Sequence, residues 1–479
     1  MKINTRCLAL GILALALYHG ADAQEAGQSP FGGISGLTNS TGYVDLLAGV
    51  AYTDNALLSH TGTNRDGIGT AGVDIDYARE GRLSLNMLGN VERVEYFHHS
   101  FGGSFDGQFN GSALWGRTTD PLQWLLRDSF GEGMTNPLAA ATPSNLQTVN
   151  SVSTGPFLNL NFGLTNRFTL FGLYSRTTFQ RSPYDSQMYE GGAQLAHRLS
   201  GASTLSLQAS DARTDYLDKA ALIGFPGNGS QYEVRQASID FNGRYVRTHL
   251  LLRAGYNTIN YGGPRHGSPL YEARLSRNIS PFSTVFVAGQ MSYSTLGGAM
   301  QSPANLLSLQ GTGIGGFGLV TPEPFKQRDL TAGWNFERDR TSMVLNGSYQ
   351  QVLYEQRVID NHRVETVNLT LARQLQPTLS VQLRVASDYV RYTQVDAHTQ
   401  RQTVTLSLAK QFARSVFWIY ARRVKQTGTS GTSGFAAADY HDDQVGIEFT
   451  YDLIGQRMLG AAGPGLSGMR AMPGVARGY

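Results

Sequence analysis

The chain has a single cysteine, Cys7, and only five lysines, and Asp, Glu, Lys and Arg together make up just 16% of its 479 residues. A soluble domain ordinarily carries about 25% charged residues. Cys7 lies at the start of the apolar N-terminal stretch, so the mature chain is expected to contain no thiol. That excludes disulfide scaffolds, Cys-ligated metals and thiol catalysis, and it suits passage through an oxidising periplasm. With Lys scarce, nearly all the basic residues are Arg; they are scattered singly, without the basic run that marks a nucleic-acid partner. Long apolar runs are also missing. The longest, Leu8 to Leu17, falls short of the roughly 20 residues a spanning helix needs, and no stretch beyond it shows the 3.6-residue period of a soluble helical enzyme.

What is abundant is glycine, with 56 residues, and aromatics, with 22 Phe, 23 Tyr and 4 Trp, at a mean hydropathy of -0.24. Gly and Pro together stay below the roughly 25–30% that marks low-complexity chains, so the sequence reads as ordered. Lys2 and Arg6 precede the Leu8–Leu17 stretch, and Ala21-Asp22-Ala23 supplies a small-x-small cleavage pattern before Gln24. Residues 1–23 are therefore expected to be a secretory signal peptide. Residues 24–41 then form a short polar lead, residues 42–453 one domain, and residues 454–479 a Gly/Ala/Met/Pro tail on the periplasmic side.

From Gly42 onward, segments of about ten residues alternate apolar and polar side chains, the period of a strand. Leu379, Val381, Leu383 and Val385 alternate with Ser380, Gln382, Arg384 and Ala386, and Val404, Leu406 and Leu408 with Thr403, Thr405 and Ser407. Nine tight turns, such as Arg79-Glu80-Gly81, Ser200-Gly201 and Gln376-Pro377, alternate with ten longer polar stretches, such as Asp54 to Asp66, Gly131 to Ser151 and Leu296 to Pro324. A β-sandwich would break such a series into domains. A transmembrane antiparallel barrel requires it: short periplasmic turns, long outer loops, an apolar outer band and aromatic girdles. The expected fold is all-β, one barrel of twenty strands, with eighteen or twenty-two as alternatives. Aromatics near strand ends, including Tyr52, Tyr77, Tyr96, Tyr174, Tyr256, Tyr293, Tyr349, Tyr389 and Tyr420, are expected at the membrane interfaces.

Alternation assigns Asp74, Asp76, Glu190, Arg198, Asp240, Arg244, Arg253, Glu272, Arg274, Arg384, Asp388 and Glu448 to the inner, pore-lining face, because charge facing lipid is costly. If Arg253, Arg274 and Arg384 share one zone, they favour anionic solutes or acidic sugars; alternatively, Arg–carboxylate pairs simply brace the wall. The turn-rich loop Thr135-Asn136-Pro137, continuing to Thr142-Pro143-Ser144-Asn145, either folds inward to narrow a pore or stays outside.

The segment Gln444-Val445-Gly446-Ile447-Glu448-Phe449-Thr450-Tyr451 resembles the targeting strand of bacterial outer-membrane barrels. The resemblance implies that the barrel-assembly machinery reads Gln444, Gly446, Phe449 and Tyr451, although here a tail follows. The first strand leading into Tyr52-Thr53-Asp54-Asn55-Ala56-Leu57-Leu58, and the run of hairpins to Leu453, resemble a family of outer-membrane β-barrel porins associated with exopolysaccharide gene clusters. That likeness implies an outer-membrane conduit for a secreted polysaccharide, with lipid, the assembly machinery and periplasmic export components as partners, and it brings no catalytic residues. A solute uptake porin and a non-conducting adhesive barrel are the alternatives.

No enzymatic, cofactor or metal site is expected. Gly311-Thr312-Gly313-Ile314-Gly315-Gly316 matches a dinucleotide fingerprint without the strand, helix and acidic residue that would support it. His98-His99 and His441-Asp442-Asp443 have residue types suited to a divalent cation or to acid/histidine hydrolysis, but no nucleophile accompanies them.

Overall fold

The computed structural model describes residues 40–60, 64–117, 119–136, 138–218, 231–260, 265–294, 323–355, 358–430 and 437–453. The expected signal peptide, the C-terminal tail and the Gly311–Gly316 motif lie outside them.

The strands run β1 (Ser40–Thr53), β2 (Asp66–Arg79), β3 (Leu83–Tyr96), β4 (Ser104–Trp115), β5 (Leu122–Met134), β6 (Leu146–Phe162) and β7 (Asn166–Phe179). There follow β8 (Ser186–Ser200), β9 (Ser203–Tyr216), β10 (Gln231–Arg244), β11 (Thr248–Asn260), β12 (Arg265–Ser280), β13 (Ser283–Ser294) and β14 (Phe325–Arg338). The series ends with β15 (Thr341–Tyr354), β16 (His362–Gln376), β17 (Leu379–Tyr392), β18 (Ala397–Gln411), β19 (Ser415–Thr429) and β20 (Tyr440–Asp452). Each strand is antiparallel to the next, and β1 pairs with β20 from Asp45↔Asp452 to Thr53↔Gln444, so the 20-stranded sheet closes on itself. Closure leaves no sheet edge along the ring, the condition for a β-structure in lipid.

Alternation assigns the two faces. Leu46, Leu207, Ile239, Leu252, Val367, Leu406, Ile419 and Ile447 point outward and are all exposed, as the lipid-facing side of a barrel must be. Trp115, Trp124, Phe162 and Phe282 ring the short-turn end, and Tyr52, Tyr189 and Tyr256 lie towards the long-loop end, again exposed. Two aromatic girdles around an apolar band mark an outer-membrane barrel. Long strands of 12 to 17 residues exceed the 9–11 or so needed to cross, so their upper ends stand clear of the hydrocarbon.

The surpluses of glycine and of aromatics have a common cause. A Cβ on Gly446 would lie 2.5 Å from the Tyr420 ring, one on Gly192 2.4 Å from Phe171, and one on Gly333 2.3 Å from Phe286. The rings lie flat along the wall over a cross-strand glycine, where any side chain would displace them. Tyr420 therefore faces inward, where the sequence reading had it at an interface; its partner in the register is Gly446. Tyr293 likewise packs with Tyr216, Tyr232 and Ile259 rather than against lipid.

The loop expected from Gly131 to Ser151 is shorter, spanning 135–145. Its polar flanks are strand: Ser151 and Ser153 hydrogen-bond the hydroxyls of Thr177 (3.1 Å) and Ser175 (2.7 Å) on β7. Serine there serves a wet inner face, not a turn.

Candidate functional site: a strap across the mouth and a charged inner wall

The connection between β5 and β6 does not stay above its own hairpin. Asn145 staples it: its Oδ1 accepts from Asn136 N (2.8 Å) and Thr135 Oγ1 (2.9 Å), and its Nδ2 donates to the Asn136 and Ala140 carbonyls. Asn136 Oδ1 in turn accepts from Leu138 N. These Asx turns make a rigid unit from Asn and Thr. Arg181, in the loop after β7, holds its root by donating to Ser144 O (2.6 Å) and Pro143 O (3.1 Å).

The tip reaches strands on the other side of the β1/β20 seam. Leu138 has no accessible surface and packs with Tyr392, Val395 and Ala397 of β17, β18 and their connection. Ala140 packs with Val424 of β19 and Tyr440 of β20, and Ala438 N donates to Leu138 O at 3.1 Å. Counting round the ring through the β1/β20 seam, β5 and β18 stand seven strands apart, so this segment is a strap across the long-loop mouth. Of the two readings of this loop, the structure has the inward one.

Below the strap, the twelve charged residues assigned to the inner face all have inward parity. Four form one ladder on β10, β11 and β12. Arg253 grips Asp240 with Nε (2.8 Å) and Nη2 (3.2 Å), its Nη1 reaches Glu272 (3.2 Å), and Arg274 Nε donates to the other Glu272 oxygen at 2.6 Å. Here the Arg residues brace the wall with carboxylates, the second of the two sequence readings. Arg384 is elsewhere, on β17, so it does not share a zone with Arg253 and Arg274. It is 3% exposed, and its register row runs Arg384↔Thr405↔Arg422 across β17, β18 and β19. Two inner-face rows above, beyond Ala386↔Thr403, Arg401 pairs with Asp388 at 3.1 Å. Arg401 and Arg422 were not singled out from the sequence, although the alternation that found Arg384 reaches them.

The opposite charge gathers beyond the seam. Asp45 and Asp74 face each other across β1 and β2, and Asp452 faces Asp45 from β20. Glu92 of β3 lies beside Asp74 and Asp106. Asp76 shares the inner face of β2, and Glu448 follows on β20. Glu190 meets the Ser210 hydroxyl and faces Arg127. Arg198 and Arg244 sit exposed at the short-turn end. The interior thus has a guanidinium-rich sector on β17–β19 and a carboxyl-rich sector on β1–β4, and the strap runs from beside one to above the other.

The remaining predicted groups disperse. His441 and Asp443 lie on the outer face of β20 and Asp442 on the inner, where Thr53 Oγ1 and Gln444 Nε2 donate to it. His98 Nδ1 lies 3.1 Å from Asp66 Oδ1, an oxygen that also accepts the backbone N–H of His98. Among the described residues, no cluster of His, Cys, Asp and Glu has metal-binding geometry. Asp54-Asn55 has a structural explanation. Asn55 Nδ2 donates to His441 O (2.7 Å) and Ser59 O, its Oδ1 accepts from Ser59 N, and Asp443 N donates to Asp54 Oδ1 (2.9 Å). The motif extends the β1/β20 seam above its last ladder pair. In the assembly-signal strand, Gln444 and Gly446 point inward and Phe449 and Tyr451 outward.

No protein-family model matches the sequence, and no curated protein is detectably similar. Among solved structures, similar chains include a point mutant of the ferric enterobactin receptor PfeA of Pseudomonas aeruginosa, at 11% identity and TM-score 0.41, covering 87% of this chain and 81% of that one. The siderophore receptor PirA of Acinetobacter baumannii gives 10%, 0.40, 86% and 81%, and the unliganded ferric citrate transporter FecA gives 10%, 0.42, 86% and 79%. Likenesses of this depth assign no ligand to the present chain.

Proposed function

We propose that this outer-membrane barrel is a passive channel for hydrophilic solutes whose long-loop mouth is narrowed by the 135–145 strap, with a secreted polysaccharide as its cargo. The observation that carries the channel reading is the strap above a charge-divided, polar interior. A barrel of 20 strands is too wide for wall side chains alone to fill, and its inner face carries hydroxyls and amides, such as Thr366, Asn368, Gln382, Thr403, Thr405 and Ser407, that match sugar hydroxyls. Adjoining acidic and basic sectors orient a polar chain without binding it tightly, as conduction requires. The polysaccharide itself comes from the family resemblance; a solute uptake porin fits the same interior.

Conductance of the purified mature protein in a planar bilayer, with and without acidic oligosaccharide, tests both. A steady conductance blocked by the sugar supports the conduit, and one that passes small ions and is indifferent to sugar supports the porin. Silence from correctly folded protein, both intact and after proteolytic cleavage of the 135–145 strap, refutes both and leaves the adhesive barrel.

A further inference from the structure

The strap's near root disturbs the wall. β4 and β5 pair only from Phe109↔Phe130 to Trp115↔Trp124, the shortest ladder of the ring. Above it, residues 104–108 of β4 still pair with β3, and residues 131–134 of β5 still pair with β6, but no described ladder joins the two strands. They fork. The base of the fork is fastened on the inner face by Asn110 Nδ2 donating to Ser129 Oγ (2.5 Å), and on the outer face by stacking of Phe109 on Phe130.

The side chains show which way β5 bends. Phe130 is on the outer face: the register runs Phe130↔Phe109↔Gly89↔Ile75↔Val44, and Val44 shares its face with exposed Leu46. Glu132, two residues on, has the same parity and would face lipid if β5 continued straight. Instead, its carboxyl meets that of Asp106, an inner-face residue of β4, with Glu92 of β3 beside them. The upper end of β5 has therefore tucked inside the barrel, behind β4, carrying the strap across the mouth. Gly131 and Gly133 flank Glu132, so no other side chain obstructs the bend.

Resting on the channel reading above, we propose that the strap is a two-position gate, and that Glu132 is the positioning residue holding it across the mouth. In the alternative position the ladder zips upward in its existing register, pairing Gln108 with Gly131, Gly107 with Glu132, Asp106 with Gly133 and Phe105 with Met134. Four more residues of β5 then join β4, the strap is withdrawn from β17–β20, and the mouth clears. Zipping adds backbone pairing but turns Glu132 towards lipid, where a charge is disfavoured. The docked position keeps that carboxyl inside at the cost of the unpaired fork.

Two cysteine pairs read the two positions, since the mature chain has no thiol of its own. L138C/A397C captures the docked strap and Q108C/G131C the zipped fork, scored by oxidation of the folded, liposome-reconstituted protein. With Glu132 present, the first pair crosslinks and the second is minor. Glu132→Leu raises the Q108C/G131C yield by roughly five-fold, the size expected for relieving a carboxylate near the interface, and Glu132→Gln, which keeps shape and polarity, raises it less. Unchanged Q108C/G131C yield in both variants overturns the gate, whatever the conductance. A shift in crosslinking with no change in conductance between oxidised and reduced Q108C/G131C keeps the two-position strap and overturns the channel reading.

Discussion

Leu138→Ala tests whether the strap is held by its tip. Leu138 is fully buried against Tyr392, Val395 and Ala397, a setting in which truncation to Ala costs about 2–5 kcal/mol. That loss falls on docking and not on the barrel, because the strap is free to leave the cavity rather than carry it. A loss of about 2 kcal/mol lowers the docked-to-undocked ratio roughly 30-fold. Two ties survive the change: Ala438 N still donates to the backbone carbonyl of residue 138, and Arg181 still holds the root. The expected record in single-channel measurements is a baseline interrupted by brief steps to a larger conductance, absent from the parent, with heat-modifiable migration on gels unchanged. Limited proteolysis should cut the variant within 135–145 faster than the parent. Faster cleavage with identical conductance and noise would refute the reasoning, because the strap would then move without narrowing the path.

Asn55→Ala removes three hydrogen bonds at the top of the seam, at about 1 kcal/mol each; a urea midpoint equal to the parent's would show that the seam does not need them. Arg253→Met leaves Asp240 and Glu272 facing each other; because the guanidinium is 30% exposed, the expected loss is about 1–2 kcal/mol, read by thermal unfolding, with selectivity moving towards cations. Arg384→Glu should shift the reversal potential in a salt gradient towards cations without changing folded yield, and an unchanged potential would place Arg384 off the conducting path. Phe449→Asp places a charge on the lipid face of the last strand and should sharply lower outer-membrane levels, whereas normal levels would count against its role in assembly.

The alternation of short and long connections was enough to count twenty strands, because each strand carries the chain to the opposite side, so the two kinds of connection must take turns. Parity was enough to orient Asp240, Arg253 and Glu272, since one residue of slip would put all three in lipid. The ends of β5 and β6 were not legible: Gly131, Gly133 and Ser151 read as loop, yet they are strand with a polar inner face. The tip contacts of the strap were also hidden. Leu138 and Ala140 belong to a run of only four apolar residues, Leu138 to Ala141, too short to show a period, and their partners Tyr392 and Val424 lie more than 250 positions away. Tyr420 was misplaced because the alternation of a lone aromatic does not reveal the glycine opposite it.

The seam sets the order of assembly. Thr53 and Asp442, which meet there, are 389 positions apart, so β1 has no partner on that side until nearly the whole barrel has been threaded. Closing so long a loop carries a large entropic cost that no early contact offsets, and during the wait β1 presents a bare row of amides and carbonyls. Such a chain is slow to close by itself and prone to pair with a neighbour, so a template that shields the first edge until the last strand arrives would decide whether it matures or aggregates.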